Sequence, residues 1–486
     1  MASSTGGPSE PSSGKQDSAA PNRGTALLAT LAMAQFMVVL DFTIVNVALP
    51  SLQRGLHVPT TTLQWLVTAY AVTFGGFLLL GGRLADVFGQ ARLYRIGLCL
   101  FVVASVSGGL AVEPRLLIAS RAIQGIGASM LAPAGLSLLV TSWPDEQQRS
   151  HALGVYGAVA SAGFAAGAVI GGLLVEVTWR LVFFVNVPVG VVLFVASWRL
   201  LPADQPRRSG HLDVAGALAA TAGVALLVLG VTRAGDTLKP TQPAIAVGVG
   251  LLLLVGFVVR ERRTATPLLN LDLFKDRSIL GANESLLAYG ACNTGAILLV
   301  TLYLQEGRGL SPLVTGLCFI PQAVGAFALA GPASKLVPAL GPRRALTAGL
   351  SLALLALVGS ALSIAGGPLA GLLASLFVMG VSARIVQVAS TLAGTAGPVA
   401  ARSEGSASAV LTASRQVGSA LGVAVVSATL VTAHGTASHR SAAAMFVAAA
   451  FALVGLLTTR VVPRGQAQPI LLRLEHRFPR HAGGLP

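Results

Sequence analysis

Charge is what this 486-residue chain has least of. Only 10% of its residues are charged, against about 25% in a soluble globular chain, while 54% are apolar and the mean hydropathy is +0.76. That balance points to a membrane protein. The net charge of +15 does not build a nucleic-acid surface. Its cations sit in short clusters between apolar blocks, with no basic domain and no aromatic-interleaved stripe. The three cysteines, Cys99, Cys292 and Cys318, lie within apolar runs without metal-ligand spacing, so they read as small buried hydrophobes. A phosphate-cradling loop is missing too: the sole Gly-Lys pair, Gly14-Lys15, is followed by glutamine, so the chain has no site for using ATP. No loop exceeds about 20 residues, which leaves no room for a separate catalytic domain, and no enzyme activity is expected. Residues 1–24, rich in Ser, Gly and Pro, hold no apolar run and are expected to be a disordered tail with no cleavable leader.

What the chain has is apolar length. A bilayer-crossing helix needs about 20 apolar residues. Fourteen such stretches follow one another, at 25–50, 62–82, 93–112, 116–140, 152–175, 181–201, 212–232, 241–260, 279–304, 312–334, 345–364, 369–396, 406–432 and 441–461. An even number puts both termini on one side. The loops and tails of that side carry 23 Lys and Arg; the opposite loops carry seven, Arg54, Arg115, Arg180, Arg233, Lys239, Arg308 and Arg440. Cytoplasmic termini are therefore expected. Two short echoes, RAIQ at 121–124 with RIVQ at 384–387 and GQARLYRIGLCL with GPRRALTAGLSL, fall at equivalent places if spans seven and eight are an insertion. Two repeated bundles around a midplane site is a plan common among secondary transporters. The expected fold is thus all-α and integral to the membrane: fourteen transmembrane helices in two six-helix pseudo-repeat bundles (25–201 and 266–461), two extra central helices (202–265), and a cytoplasmic tail at each end (1–24 and 462–486). With no ATP site and no cofactor motif, an ion gradient is the remaining energy source.

Several stretches in this order carry a family resemblance. LDFTIVNVALP at 40–50, GGRLADVFGQARLYRIG at 81–97, LLIASRAIQGIGASML at 116–131, GFAAGAVIGG at 163–172, WRLVFFVNVPVG at 179–190 and SRQVGSALGVA at 414–424 together resemble the fourteen-span drug:proton antiporters of the major facilitator superfamily, over about residues 25–460. Val87 and Gln90 stand where that family's loop motif usually has basic residues, and Ala168 where its span-five motif has proline. The resemblance implies proton-coupled export of a small amphipathic toxic compound such as an antibiotic, by a monomer in a bacterial plasma membrane. An importer of the same fold and a non-transporting membrane sensor remain as alternatives.

Asp41 stands out, because a charge at bilayer depth costs roughly 2.5–3.5 kcal/mol on insertion scales. It is a protonation site or a structural carboxylate satisfied by a neighbouring helix. Arg121 lies about 7–9 Å below the outer surface and Asp41 about 6–9 Å, so the two can pair. Since arginine keeps its charge, the carboxylate must carry the proton. Gln124, one turn from Arg121, extends that polar site or bonds within the core. Asn46 is expected to be solvated near the outer interface. Glu284 is a second protonatable group or a snorkelling one. Gly163, Gly167 and Gly171, with Gly172 beside them, form a face that lets another helix approach closely. Gly82 and Gly89 bracket Asp86 in a tight turn, where Asp86 pairs with a basic group or a helix N-terminus; with Arg92 they form the expected conformational switch. Trp65 suits an interface anchor. Tyr70 is deep enough to face a cavity, and Asn293 is placed in the same substrate cavity. Arg415 reads as an interior structural charge. Arg384, about 22 Å into its span, either recognises an acidic substrate or serves backbone carbonyls and Glu284.

Overall fold

The structure, a computed structural model, describes residues 20–58, 60–202, 204, 213–233, 241–264, 267–269, 271–329, 332–395 and 404–463. Most of both expected tails lies outside that set. The described residues form helices and no strands. In chain order these are α1 (Ala20–Leu56), α2 (Thr60–Phe88), α3 (Gln90–Gly109), α4 (Pro114–Ser142), α5 (Glu146–Val177), α6 (Leu181–Phe184), α7 (Asn186–Leu200), α8 (Val214–Thr232) and α9 (Thr241–Arg263). After a 3₁₀ turn come α10 (Arg277–Leu302), a π turn (Tyr303–Gly307), α11 (Pro312–Cys318), α12 (Ile320–Ala328), α13 (Pro332–Leu340), α14 (Pro342–Ala365), α15 (Leu369–Thr395), α16 (Glu404–Thr432) and α17 (Ala437–Thr458). Helix α1 starts at Ala20, so the last residues of the expected tail are helical.

Local chemistry sets the boundaries. Pro114, Pro312 and Pro342 occupy first-turn positions of α4, α11 and α14, where a missing N–H costs nothing. Asp145, Asp213, Asp276, Ser311 and Thr436 cap α5, α8, α10, α11 and α17 by accepting a first-turn N–H.

Twelve helical stretches among the described residues, with α6 and α7 together as one, are long and apolar enough to cross a membrane. The two other expected spans take different forms. Helix α2 runs unbroken over Thr60–Phe88, across the whole span expected at 62–82. The expected span at 312–334 is broken: α11 ends at Cys318 and α12 begins at Ile320, because Pro321 offers no N–H and its ring crowds the preceding turn. A second difference lies at the expected loop after span two. Helix α2 runs on to Phe88, so Gly82 is helical, with open space beside it, and the turn shrinks to Gly89. Its φ of 97° is one that only glycine adopts cheaply.

Packing recurs in the same pattern along the two parts of the chain. In the first, α1 packs on α5, α2 and α3 on α4, and α3 and α1 on α7. In the second, α10 packs on α16, α12 and α14 on α15, and α14 and α10 on α17. Helices α8 and α9 pair with each other, and α8 also touches α2 and α16. Two seams join the sets, α2 with α16 and α5 with α11, and each is the counterpart of the other under this correspondence. Lipid-type surface remains outside: Val191, Val192, Val195 and Trp198 of α7, and Leu251, Leu252 and Val255 of α9, are exposed.

Candidate functional site

The polar centre of the first helix set is Asp41, with none of its surface exposed to water. Three donors converge on its carboxylate. Arg121 Nη1 of α4 donates to Oδ2 at 2.6 Å, while Asn186 Nδ2 of α7 and Gln124 Nε2 of α4 donate to Oδ1 at 2.8 and 3.2 Å. Arg121, only 1% exposed, is held on every side. Its Nε donates to the carbonyl of Leu66 in α2 at 3.0 Å, its Nη1 also donates to Gln124 Oε1 at 2.8 Å, and its guanidinium lies 4.4 Å from the ring centre of Tyr70. Gln124 Nε2 donates in addition to Ser105 Oγ of α3 at 2.8 Å. Three helices thus meet at the carboxylate itself, and α2 and α3 join the cluster through Arg121 and Gln124. The charge pair is out of contact with water, so losing either partner leaves a buried, uncompensated charge, which typically costs about 3–5 kcal/mol.

The pairing of Asp41 with Arg121 and Gln124 agrees with their depths in the sequence. Tyr70 differs from expectation. It is 1% exposed, stacked over Arg121 between Phe42 and Phe74, so it belongs to the ion-pair cluster and does not face an open cavity. Asn46 also corrects its expectation: it is buried, and its amide donates to the Phe42 carbonyl at 2.6 Å. Helix α1 continues ten residues beyond it to Leu56, which places it well inside the protein. Asn186 and Ser105 were not singled out in the sequence.

The glycine face does what its spacing predicts. A Cβ at Gly163 would stand 2.9 Å from the Phe36 carbonyl oxygen, one at Gly167 2.8 Å from that of Leu40, and one at Gly171 2.8 Å from the Ile44 side chain. Successive turns of α5 therefore rest on successive turns of α1, the helix of Asp41. Gly172 points elsewhere: a Cβ there would lie 2.6 Å from Leu313 Cα in α11, across the seam. Nearby, Gln305 donates to the Val47 carbonyl of α1 at 2.9 Å.

In the second set, Asn293 Oδ1 accepts from Gln322 Nε2 of α12 at 3.2 Å and from the Tyr289 hydroxyl at 3.4 Å. Gly380 of α15 packs on Gln322, and Arg384, half-buried, follows one turn later on that face. Arg384 is not a free charge. Arg415 of α16 lies within electrostatic reach of both Tyr70 and Tyr289. Glu284 is half-buried and has no ion pair or hydrogen bond among the described residues, and its Oε2 is buried. The expected pairing of Glu284 with Arg384 or Arg415 is therefore not seen.

The Asp86 side chain lies outside the described residues. The turn it borders is held by another carboxylate: Asp204, following α7, accepts from the backbone N–H groups of Ala91 and Arg92 at 2.8 Å each, capping α3. Arg92 takes part through its backbone.

The sequence profile of the Major Facilitator Superfamily matches residues 31–423. The chain is 38% identical over 467 residues to the puromycin resistance protein of Streptomyces alboniger, covering 91% of each. It is 35% identical over 464 residues to the cephamycin export protein of Amycolatopsis lactamdurans, covering 92% of this chain and 93% of that protein. The fold is similar to that of an auto-inhibited POT family peptide transporter, with a TM-score of 0.66 at 17% identity over 92% of this chain and 98% of the other.

Proposed function

The chain belongs to the Major Facilitator Superfamily, and from that premise we propose that it exports a small amphipathic antibiotic-like compound in exchange for protons. The resistance and export roles of its relatives support the direction. The observation that carries the coupling is the fully buried Asp41 carboxylate with three converging donors.

A proton arriving at this carboxylate adds a fourth donor where three already point. Arg121 cannot give up its charge, so Asp41 takes the proton. Oδ1 already accepts from both Gln124 and Asn186, so a proton there displaces one of them, while a proton on Oδ2, which accepts from Arg121 alone, cancels the charge that holds the guanidinium. Each donor sits on a different helix from Asp41, so α1 shifts against α4 or α7. Helix α1 packs on the three glycines of α5 and touches α10 and α11, which passes the shift to the seam between the sets. Substrate and proton then favour opposite arrangements, which is the condition for exchange.

On this reading α2 and the broken α11–α12 are the two remaining crossings of a fourteen-span protein. Residues 25–201 and 266–461 are its two bundles, 202–265 is the inserted pair, and both termini are cytoplasmic. Asn293 and Arg384 border the substrate path from the second bundle, Tyr70 and Gln124 hold the ion pair of the first, and Glu284 is a second proton acceptor. Asp86, Gly89 and Arg92 act in the switch, and the protein works as a monomer in a bacterial plasma membrane. Everted vesicles test the direction. Substrate identified by a susceptibility panel should accumulate inside them when the interior is acid; accumulation only in right-side-out vesicles would identify an importer.

A further inference from the structure

At the end of the bundle opposite the chain termini, α2, α4, α8 and α16 leave between them a cavity of about 730 Å³. Each helix contributes the same end. Trp65 comes from the second turn of α2, Glu113 and Arg115 from the start of α4, Arg233 from the end of α8, and Val431 from the end of α16. All three charged residues are exposed, and among the described residues none of their side chains makes a hydrogen bond or ion pair. Helix α4 adds to the field. Glu113 stands at its N-cap position without its side chain capping, and Pro114 follows, so the positive end of a 29-residue helix opens at the cavity rim.

Two permanent cations and an open helix N-terminus select an anion, and two guanidinium groups suit a phosphate. The wall is apolar and aromatic, with Trp65 half-buried and Val431 54% exposed. A tryptophan beside arginines at a helix end is the setting of a membrane–water interface, so the anion that fits carries an apolar tail. Glu113 narrows the class further. A carboxylate at the same rim repels a second anionic group and accepts an ammonium. We infer that this cavity binds the headgroup of an amphiphile bearing both a phosphate and a primary ammonium, as a phosphoethanolamine lipid does. Arg115 and Arg233 hold the phosphate, and Glu113 holds the ammonium. Helices α2 and α4 belong to one helix set, α16 to the other and α8 to the extra pair, so the cavity changes shape whenever the sets move. An occupant that fits one arrangement better shifts the balance between them. Only this last consequence rests on the transport reading; the binding itself does not.

The test uses the purified full chain in detergent, titrated separately with short-chain phosphatidylethanolamine and phosphatidylglycerol and followed by native mass spectrometry. The ethanolamine lipid should bind the wild type more tightly than the glycerol lipid. Arg115→Gln with Arg233→Gln should weaken that binding by about tenfold or more, the usual loss when charge-assisted bonds are removed. Glu113→Gln should abolish the preference between the two lipids while the protein still binds both. Arg440→Gln, on the same face but outside the cavity, should change nothing and serves as the folding control. Free O-phosphoethanolamine is added as a competitor. Displacement at equal concentration would assign the site to a soluble phosphoester, and no displacement assigns it to a lipid; the phosphate-plus-ammonium chemistry holds in both cases. Equal binding by wild type and the double arginine variant would overturn the proposal, as would an ethanolamine preference that survives Glu113→Gln.

Discussion

Adding one methyl group to Gly167 should damage transport far more than adding it to Gly154 of the same helix. At Gly167 the new Cβ would stand 2.8 Å from the Leu40 carbonyl oxygen, 2.9 Å from Thr43 Cβ and 3.3 Å from Leu40 Cα. Two of those three atoms are backbone, so no rotamer change relieves the contact. To restore van der Waals distance, α5 must retreat from α1 by about 0.6 Å, and overpacking of this kind typically costs ~1–3 kcal/mol. Retreat is blocked on the other flank. The Ala168 carbonyl of α5 presses on Gly316, and Gly172 presses on Leu313, both in α11. The methyl group therefore loads the seam between the two helix sets as well as the contact it enters. Gly154 has no atom within 4 Å of its would-be Cβ. Alanine there should be neutral or stabilising by up to about 1 kcal/mol, from helix propensity alone. The assay pairs melting temperature of the purified protein with uphill substrate accumulation in everted vesicles. Gly167→Ala should lose most accumulation, and Gly167→Val should lose all of it and melt lower. If Gly167→Ala performed like Gly154→Ala in both measurements, the α1–α5 contact would not transmit anything.

Other substitutions probe the rest of the cluster and its switch. Arg121→Lys should lose most transport although charge is kept, since an ammonium cannot hold Asp41, Gln124 and the Leu66 carbonyl at once; wild-type rates would show that charge alone suffices. Asn186→Leu removes one donor to Asp41 Oδ1 and should alter the pH dependence of transport with protein abundance retained; an unchanged pH profile would make Asn186 a packing residue. Asp204→Ala uncaps α3 at two N–H groups, should cost about 1–2 kcal/mol of stability, and should slow turnover more than it weakens substrate binding. Equal effects on turnover and binding would place Asp204 outside the switch.

The sequence carried the centre of this site better than its surroundings. Asp41 and Arg121 were legible because charges are costly in an apolar run, and counting residues along helices set them at matching depth. The glycines at 163, 167 and 171 were legible because a four-residue spacing marks one helix face. Asn186 offered a signal of the same type, a polar side chain amid LVFFVNVPVG, yet only its contact with Asp41 gives it meaning. Ser105 offered none. A mid-helix serine ordinarily bonds its own backbone, as this one also does through the Phe101 carbonyl, so its second bond to Gln124 is visible only in three dimensions. Pro321 was the available cue to the break in the span expected at 312–334, but a count of apolar residues passes over it. The π turn at Tyr303–Gly307 had no local cue, and Asn46 was misplaced because the outer end of α1 runs further than its apolar run. The match between the α5–α11 and α2–α16 seams depends on packing between distant segments, which short sequence echoes only hinted at.

Proton coupling at Asp41 is the central claim, and Asp41→Asn in everted vesicles tests it most directly. The substitution keeps the shape, removes the titratable group and leaves the Arg121 charge uncompensated, so protein abundance is measured beside transport. With an acid interior, the wild type should concentrate substrate above its external level. The variant should still bind and exchange substrate across the membrane but equilibrate without concentrating it, and substrate addition should release no protons from the vesicle lumen. Undiminished acid-driven accumulation by Asp41→Asn, at comparable protein abundance, would contradict the account.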